Sequence, residues 1–277
     1  MPHAVFHPTD FSGASQLAFA HALRIAVANR ARLSILHVDG PGEQGTDFDD
    51  YPHVRETLVA WGLLPTGSPR SAVFDELGLR VRKTELAGGA PRESLLAAIE
   101  EDPADIVVTA TRAGGRWQRR LFHESVALAL AERARRGTLI LPEGMRGVVD
   151  PQSGGVALQR LLVVQDGAGD GAMELALAER VAAGIGAGKY VLRLLRTDAA
   201  AAIASAPVAQ APVDAVGRVG HAPRLVPGEA RAWGADLVVM RGRWRHGLAA
   251  RVLGSPLARM LRLLPCPLYL LPEAEGR

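Results

Sequence analysis

The chain has 277 residues, 48% of them hydrophobic, and its 32 lysines and arginines against 29 aspartates and glutamates give a net charge of +3. That length suits two domains of ordinary size, each able to bury a core. No apolar run reaches the ~18–20 residues of a membrane span, the first dozen residues show no basic segment followed by an apolar one, and the mild positive charge without aromatic–basic interleaving gives little support to a nucleic-acid partner.

In chain order, residues 4–6 read as a short strand, and Ser12 is placed to cap a helix running to about residue 28. Leu17, Ala20, Leu23 and Val27 supply its apolar stripe. A strand at 33–38 and a Gly-rich loop at 40–50 come next, then a helix at 54–64, a break at 65–70 and a helical turn at 71–77. Alternation makes 79–86 a strand. A helix at 91–100 is closed by Asp102-Pro103. A strand at 106–109, a basic loop, a helix at 125–135 and a strand at 138–141 complete the first half. Residues 144–158, rich in glycine, read as a linker between domains 1–143 and 159–277.

The second half repeats this order. Residues 5–38 run without a gap against 161–194, setting Asp10 on Asp166. Residues 104–142 repeat the stretch 233–272, setting Ser125 on Ser255, and both loops contain Gly-Arg-Trp. Two similar halves in one order mean a tandem duplication. The repeat is shorter in its middle, leaving room for a brief helix at 198–206, a strand at 213–219 and a helix at 224–233. A buried strand at 237–240, an Arg-rich loop, a helix opened by Gly254-Ser255-Pro256 and a strand at 268–271 form a βαβ crossover. Cys266, the single cysteine, excludes an internal disulfide and suits a reducing cytoplasm. It reads as a packed small residue.

These residues carry a resemblance. HPTDFSGASQLAFAHAL with SILHV, ADIVV and TLILP in the first half, and VVQDGAGDGAMELAL, GADLVV, LGSPLARML and PCPLYLLP in the second, each resemble a universal stress protein domain. The whole chain resembles a tandem universal stress protein. The resemblance implies an α/β fold of two Rossmann-like, doubly wound domains, each a five-stranded parallel sheet in the order 3-2-1-4-5. It implies that strands 138–141 and 268–271 meet antiparallel at a pseudo-two-fold, making an intrachain pseudo-dimer that leaves further homo-oligomerisation open.

ATP-binding members of that family carry Gly-x-x-Gly, nine residues, then Gly-Ser or Gly-Thr after the fourth strand. Glycines let backbone N–H groups approach phosphates, and a helix start favours anions. Gly254 and Ser255 match the end of that motif, whereas Arg241 and Trp244 stand where the earlier glycines belong. Gly242 is out of register, and Arg243 and its neighbours offer guanidinium groups as substitute phosphate ligands. In the first half Ala110 and Ala113 fall on the glycine positions, and Glu124 sets a carboxylate where phosphate belongs. Asp10 and Asp166 match the aspartate beside the adenine ribose. Val38, with Leu194 as its counterpart, matches the second-strand residue that touches adenine. The loop is thus a degenerate form of the family's nucleotide loop: no cofactor is required, and the one that the resemblance leaves open is ATP in the second domain, with Asp166, Gly242, Arg243, Gly254 and Ser255 as its candidate residues and Asp10 and Val38 as the weaker first-half set.

No nucleophile elbow, Walker sequence, His-Glu-x-x-His or paired Cys-x-x-Cys is present. The reading is a cytoplasmic, non-catalytic stress-response protein acting through a protein partner that the sequence does not name, with no metal. The alternative is an adenine-nucleotide-binding regulator using the second domain, with slow ATP hydrolysis.

Overall fold

The computed structural model describes residues 2–39, 45, 47–86, 90–111, 126–166, 170–197, 209–242 and 256–272. The first half contains β1 (Ala4–Pro8), α1 (Gly13–Asn29), β2 (Arg32–Val38), a 3-10 turn (Phe48–Asp50), α2 (Val54–Ala60), α3 (Ala72–Asp75), β3 (Arg80–Leu86), α4 (Pro91–Glu101), β4 (Ile106–Ala110), α5 (Val126–Arg133) and β5 (Gly137–Leu141). The second contains β6 (Arg160–Gln165), α6 (Ala172–Ile185), β7 (Val191–Arg196), β8 (Val213–Gly217), α7 (Ala222–Trp233), β9 (Leu237–Gly242), α8 (Pro256–Leu263) and β10 (Leu268–Pro272).

All ten strands join one sheet in the order β3-β2-β1-β4-β5-β10-β9-β6-β7-β8. Each half is parallel and ordered 3-2-1-4-5, as expected. Within the sheet the halves join, among the described residues, through the antiparallel pair of β5 with β10. Helices α1 and α6 cover one face side by side, and Asn29 Nδ2 of α1 donates to the Gly184 carbonyl of α6 at 2.7 Å. Helices α4, α5, α7 and α8 cover the other face. Burial follows the period-2 alternation of strands: Val5, Ile106 and Val108 pack under α1, whereas Phe6 and Val107 pack under α4 and α5.

Local chemistry explains the helix ends. Ser12 caps α1, its hydroxyl accepting the Ser15 N–H at 3.2 Å. Arg30 and Gly186 close α1 and α6 in the left-handed region, at φ 50 and 82, with matching bonds from Ala31 N–H to Ala26 O and from Ala187 N–H to Ala182 O. Helix α2 stops at Ala60 and not at residue 64, because Gly62 turns the chain at φ 69. The third strand of the second half ends at Gly217. The expected brief helix at 198–206 lies outside the described residues.

The ungapped match between the two beginnings needs a correction. Val5 pairs with Leu33 in the first half, but Leu161 pairs with Leu192 in the second. Helices α1 and α6 end at equivalent residues, yet only Arg30 and Ala31 precede β2 whereas five residues, 186–190, precede β7. The second half thus carries three extra residues in this turn. The residue equivalent to Val38 is Thr197, not Leu194.

The segment read as a linker is packed. Val148 and Val149 are buried, and Val149 bridges antiparallel to Val156. The Trp61 indole N–H donates to the Pro151 carbonyl at 2.9 Å. Gly154 is required there: at φ 66, a Cβ on it would stand 2.4 Å from the Trp61 ring. His21 donates from Nδ1 to the Leu17 carbonyl at 2.8 Å, so Nε2 is free to accept the Val148 and Val149 N–H groups at 2.9 and 3.1 Å. Burial pushes the His21 imidazole down to about 4, which keeps it neutral and able to accept.

Candidate functional site

In each half the crevice of interest opens at the carboxyl ends of the strands, between the first and fourth, where the strand order reverses. The second-half crevice is polar. Asp166 follows β6, and its Oδ1 accepts the Thr197 hydroxyl at 2.6 Å. Thr197 stands there because it follows β7, whose last residue Arg196 pairs with Gln165. Arg196 is buried and donates from Nη2 to the Asp170 carbonyl at 2.7 Å. Gln165 is 4% exposed, and neither atom of its carboxamide has a partner among the described residues. Leaving such a group unpaired costs about 1–3 kcal/mol, so it calls for an explanation. Gly171 makes room for it: at φ 83, a Cβ there would lie 2.7 Å from Leu194 Cδ2 and 3.2 Å from Gln165 Oε1.

Across the switch point, β9 ends in Arg241 and Gly242. Arg241 Nη1 lies 3.5 Å from Glu174 Oε1 and 3.7 Å from Met173 Sδ, both in the first turn of α6. Gly242 pairs with Pro272 at the end of the ladder. Arg243, Gly254 and Ser255 lie outside the described residues, as do Glu124 and Ser125 in the first half.

In the first half, rings pack on one another beside the crevice, at the ends of β1 and β2. Asp10 Oδ1 accepts both the N–H and the hydroxyl of Ser12, at 3.1 and 2.5 Å, so it orients the cap of α1. Thr9 Oγ1 accepts the Phe11 N–H and the Ser15 hydroxyl, at 3.1 and 3.0 Å. Phe11, at φ 59, lays its ring on His37 with centroids 4.3 Å apart, and Tyr51 meets Phe11 edge-on at 5.4 Å. His37 Nδ1 is tied to the Thr9 carbonyl at 2.9 Å. Phe48 lies beyond Tyr51, with Lys83 Nζ 4.5 Å above its ring. Burial, assisted by Glu85 and Asp39, pushes the Tyr51 hydroxyl up to about 12. Val38 ends β2, opposite Leu86.

The paired positions therefore diverge by compensation. Thr9 and Ser15 become Gln165 and Gly171, a bonded pair of hydroxyls replaced by one longer amide over a glycine. Ala18 and Ala110 become Glu174 and Arg241, and His37 becomes Arg196. The sequence reading named Asp166, Gly242, Asp10 and Val38 but missed Gln165, Arg196 and Thr197. The change at Thr9 and Ser15, six residues apart in both repeats, was a usable signal for Gln165.

A family model, Universal stress protein family, matches residues 1–142 and again 164–272. The chain belongs to the universal stress protein family. Its solved relatives support the tandem fold. A universal stress protein from Archaeoglobus fulgidus DSM 4304 superposes at a TM-score of 0.63 with 16% identity, over 99% of this chain and 97% of that one. A putative universal stress protein from Pseudomonas aeruginosa UCBPP-PA14 gives 0.62 at 14%, over 98% and 93%. A functionally unknown protein from Pseudomonas aeruginosa PAO1 gives 0.64 at 14%, over 98% and 92%. At these identities the likeness is one of fold. No curated protein matches the chain.

Cys266, the buried cysteine of this universal stress protein, has its thiol pushed up to about 12, chiefly by desolvation, which suits packing and not reactivity. Among the described residues no group of three or more His, Cys, Asp or Glu side chains could hold a metal, and no helix is long and apolar enough to cross a membrane.

Proposed function

We propose that this universal stress protein is a non-catalytic, cytoplasmic regulator whose second half takes an adenine nucleotide and whose first half takes none. The observation that carries this reading is Gln165: a buried carboxamide without a partner among the described residues, beside the Asp166–Thr197 pair, at the switch point of the second sheet. A base or ribose offers both a donor and an acceptor to such a group. Asp166 and Thr197 would face the ribose, and Arg241, Arg243, Gly254 and Ser255 the phosphates. In the first half Phe11, His37 and Tyr51 pack on one another where the second half has the polar Arg196 and Thr197, and Glu124 would repel phosphate. The domain limits 1–143 and 159–277 go with this reading, 144–158 being a strap held on the first domain.

A second reading has its own support. Arg241, already turned toward Glu174, stands where ATP-binding members have glycine. A protein that works only through contact with a protein partner would need no nucleotide at all.

Mass spectrometry of ligand released from purified protein separates the two, with ATP or ADP expected in the first case. Titration with ATP, with and without magnesium, then tests the assignment of halves. Gly254→Glu and Asp166→Ala should abolish binding, and Glu124→Gly should leave it unchanged or add a weak site. Binding that survives Gly254→Glu but disappears with Asp10→Ala would put the site in the wrong half. No binding by any variant would leave the protein-contact reading.

A further inference from the structure

We propose that Met173 is an oxidation site that controls Arg241, and through it the second crevice. The effect on nucleotide rests on the reading above; the oxidation and the capture of Arg241 do not. Met173 is 62% exposed at the start of α6. Met240 and Met260 are buried, Met145 is half-buried, and the Cys266 thiol is buried and held protonated. Among the described residues Met173 is therefore the sulfur most open to an oxidant. Its Sδ already lies 3.7 Å from Arg241 Nη1. The equivalent residues in the first half are Leu17, Ala18 and Ala110 for Met173, Glu174 and Arg241, so the arrangement belongs to one half alone.

The chemistry needs a hydroperoxide. The Met173 sulfur attacks one peroxide oxygen, an S–O bond forms and the O–O bond breaks. The sulfur gives up two electrons. The departing oxygen leaves with the proton, as water when the oxidant is hydrogen peroxide. The product is a neutral, polar sulfoxide.

The consequence follows from hydrogen-bond strength. A thioether is a weak acceptor, whereas the sulfoxide presents an oxygen to the same guanidinium. Arg241 leans on Glu174 at a long 3.5 Å, so a second oxygen on the same side fixes it against α6. An anion in the crevice then competes with two oxygens for Arg241 in place of one. One hydrogen bond of ordinary net strength lowers ATP affinity roughly three- to tenfold.

The test uses the full chain. Graded hydrogen peroxide treatment followed by peptide mass spectrometry should show Met173 sulfoxide forming ahead of that at Met145, Met240 and Met260. In spectra of protein labelled with 15N-arginine, proton exchange at the Arg241 side chain should slow on oxidation, a readout that needs no ligand. ATP affinity should fall by the stated factor, and a methionine sulfoxide reductase should restore it. In Met173→Leu, peroxide should change neither Arg241 exchange nor ATP affinity. Met145 oxidising as fast as Met173, or Arg241 exchange unmoved by oxidation, would overturn the proposal. So would peroxide sensitivity that persists in Met173→Leu. ATP binding by neither form would remove the nucleotide reading alone, and exchange at Arg241 would still decide the oxidation site.

Discussion

Leu139 of β5 and Tyr269 of β10 hold the same place in their two repeats and lie opposite one another across the antiparallel seam. Their neighbours obey the same exchange: Ile140 faces Leu268, and Thr138 faces Leu270. The pseudo-two-fold axis therefore passes through this one pair. Each partner also pairs with an equivalent residue of its own fourth strand, Leu139 with Val108 and Tyr269 with Val239. A duplication has closed the contact of two copies inside one chain.

The seam is not symmetric in volume, and that makes it testable. Where Leu139 is aliphatic, the larger Tyr269 lays its hydroxyl over Gly137, so that a Cβ on Gly137 would stand 2.0 Å from Tyr269 Oη. Gly137→Ala should therefore destabilise the chain by about 1–3 kcal/mol, the usual penalty of overpacking. Tyr269→Leu in the same chain should recover most of that loss. Urea unfolding midpoints of the three variants check it, and a Gly137→Ala protein as stable as wild type would show that the ring has room to move.

Asp105 and Asp236 form a second symmetric device. Asp105 Oδ2 accepts the His3 and Ala4 N–H groups at 2.6 and 3.0 Å, and Asp236 Oδ2 accepts those of Gln159 and Arg160, each at 2.8 Å. Each carboxylate pins the first residue of a central strand to the start of the fourth. Replacing either by alanine should lower stability by about 1–2 kcal/mol, at the modest end for charge-assisted bonds because both sites are partly solvated. The two losses should add, since the sites lie in different halves. Strong non-additivity in a double-mutant cycle would mean that the clamps communicate through the shared sheet.

Acid should weaken the fold through His21 and His7. Burial is the main cause in both cases and lowers each to about 4 from an ordinary 6.5. The unfolded chain takes up a proton below about 6.5 that the folded chain refuses, so stability is full above that pH. It then falls until the folded groups protonate near 4. A shift of this size corresponds to as much as about 3 kcal/mol per histidine. His21→Leu should flatten the fall between pH 6.5 and 4. It should also cost about 1–3 kcal/mol at pH 8, because the Val148 and Val149 N–H groups lose their acceptor. Urea midpoints at pH 8, 6 and 5 measure both effects.

The strand positions were legible because buried parallel strands write continuous apolar runs that recur in both halves, whereas the strand order and the seam followed from the resemblance to the family. The Ser12 cap was legible from the residue type alone. The three extra residues before β7 were not. Apolar strand residues resemble one another, so Leu194 looks as good a match to Val38 as any, and only backbone pairing puts Thr197 there. The packing of the 144–158 segment was not legible, because glycines leave no side-chain pattern. Gly154 and Gly147 instead let backbone press against the Trp61 ring and the His21 imidazole. Glu174 and Arg241 sit 67 positions apart, beyond any periodic signal. In the first half, a Phe at a left-handed position announces itself by nothing in the local sequence.

That residue, Phe11, gives the sharpest reversal of an ordinary expectation. Its φ of 59 costs an L-residue roughly 1–2 kcal/mol, and glycine pays none of this. Removing the ring loses its packing on His37 and Tyr51 whichever small residue replaces it. Phe11→Ala keeps the left-handed strain and loses the ring, whereas Phe11→Gly loses the ring and the strain together. Both variants should be less stable than wild type, and Phe11→Gly should be the more stable of the two by about 1 kcal/mol, opposite to the order at most positions. Urea unfolding of the pair decides it. A Phe11→Ala protein as stable as Phe11→Gly would show that the backbone relaxes once the ring is gone, and that stacking on His37, not the fold of the loop, holds Phe11 beside the crevice.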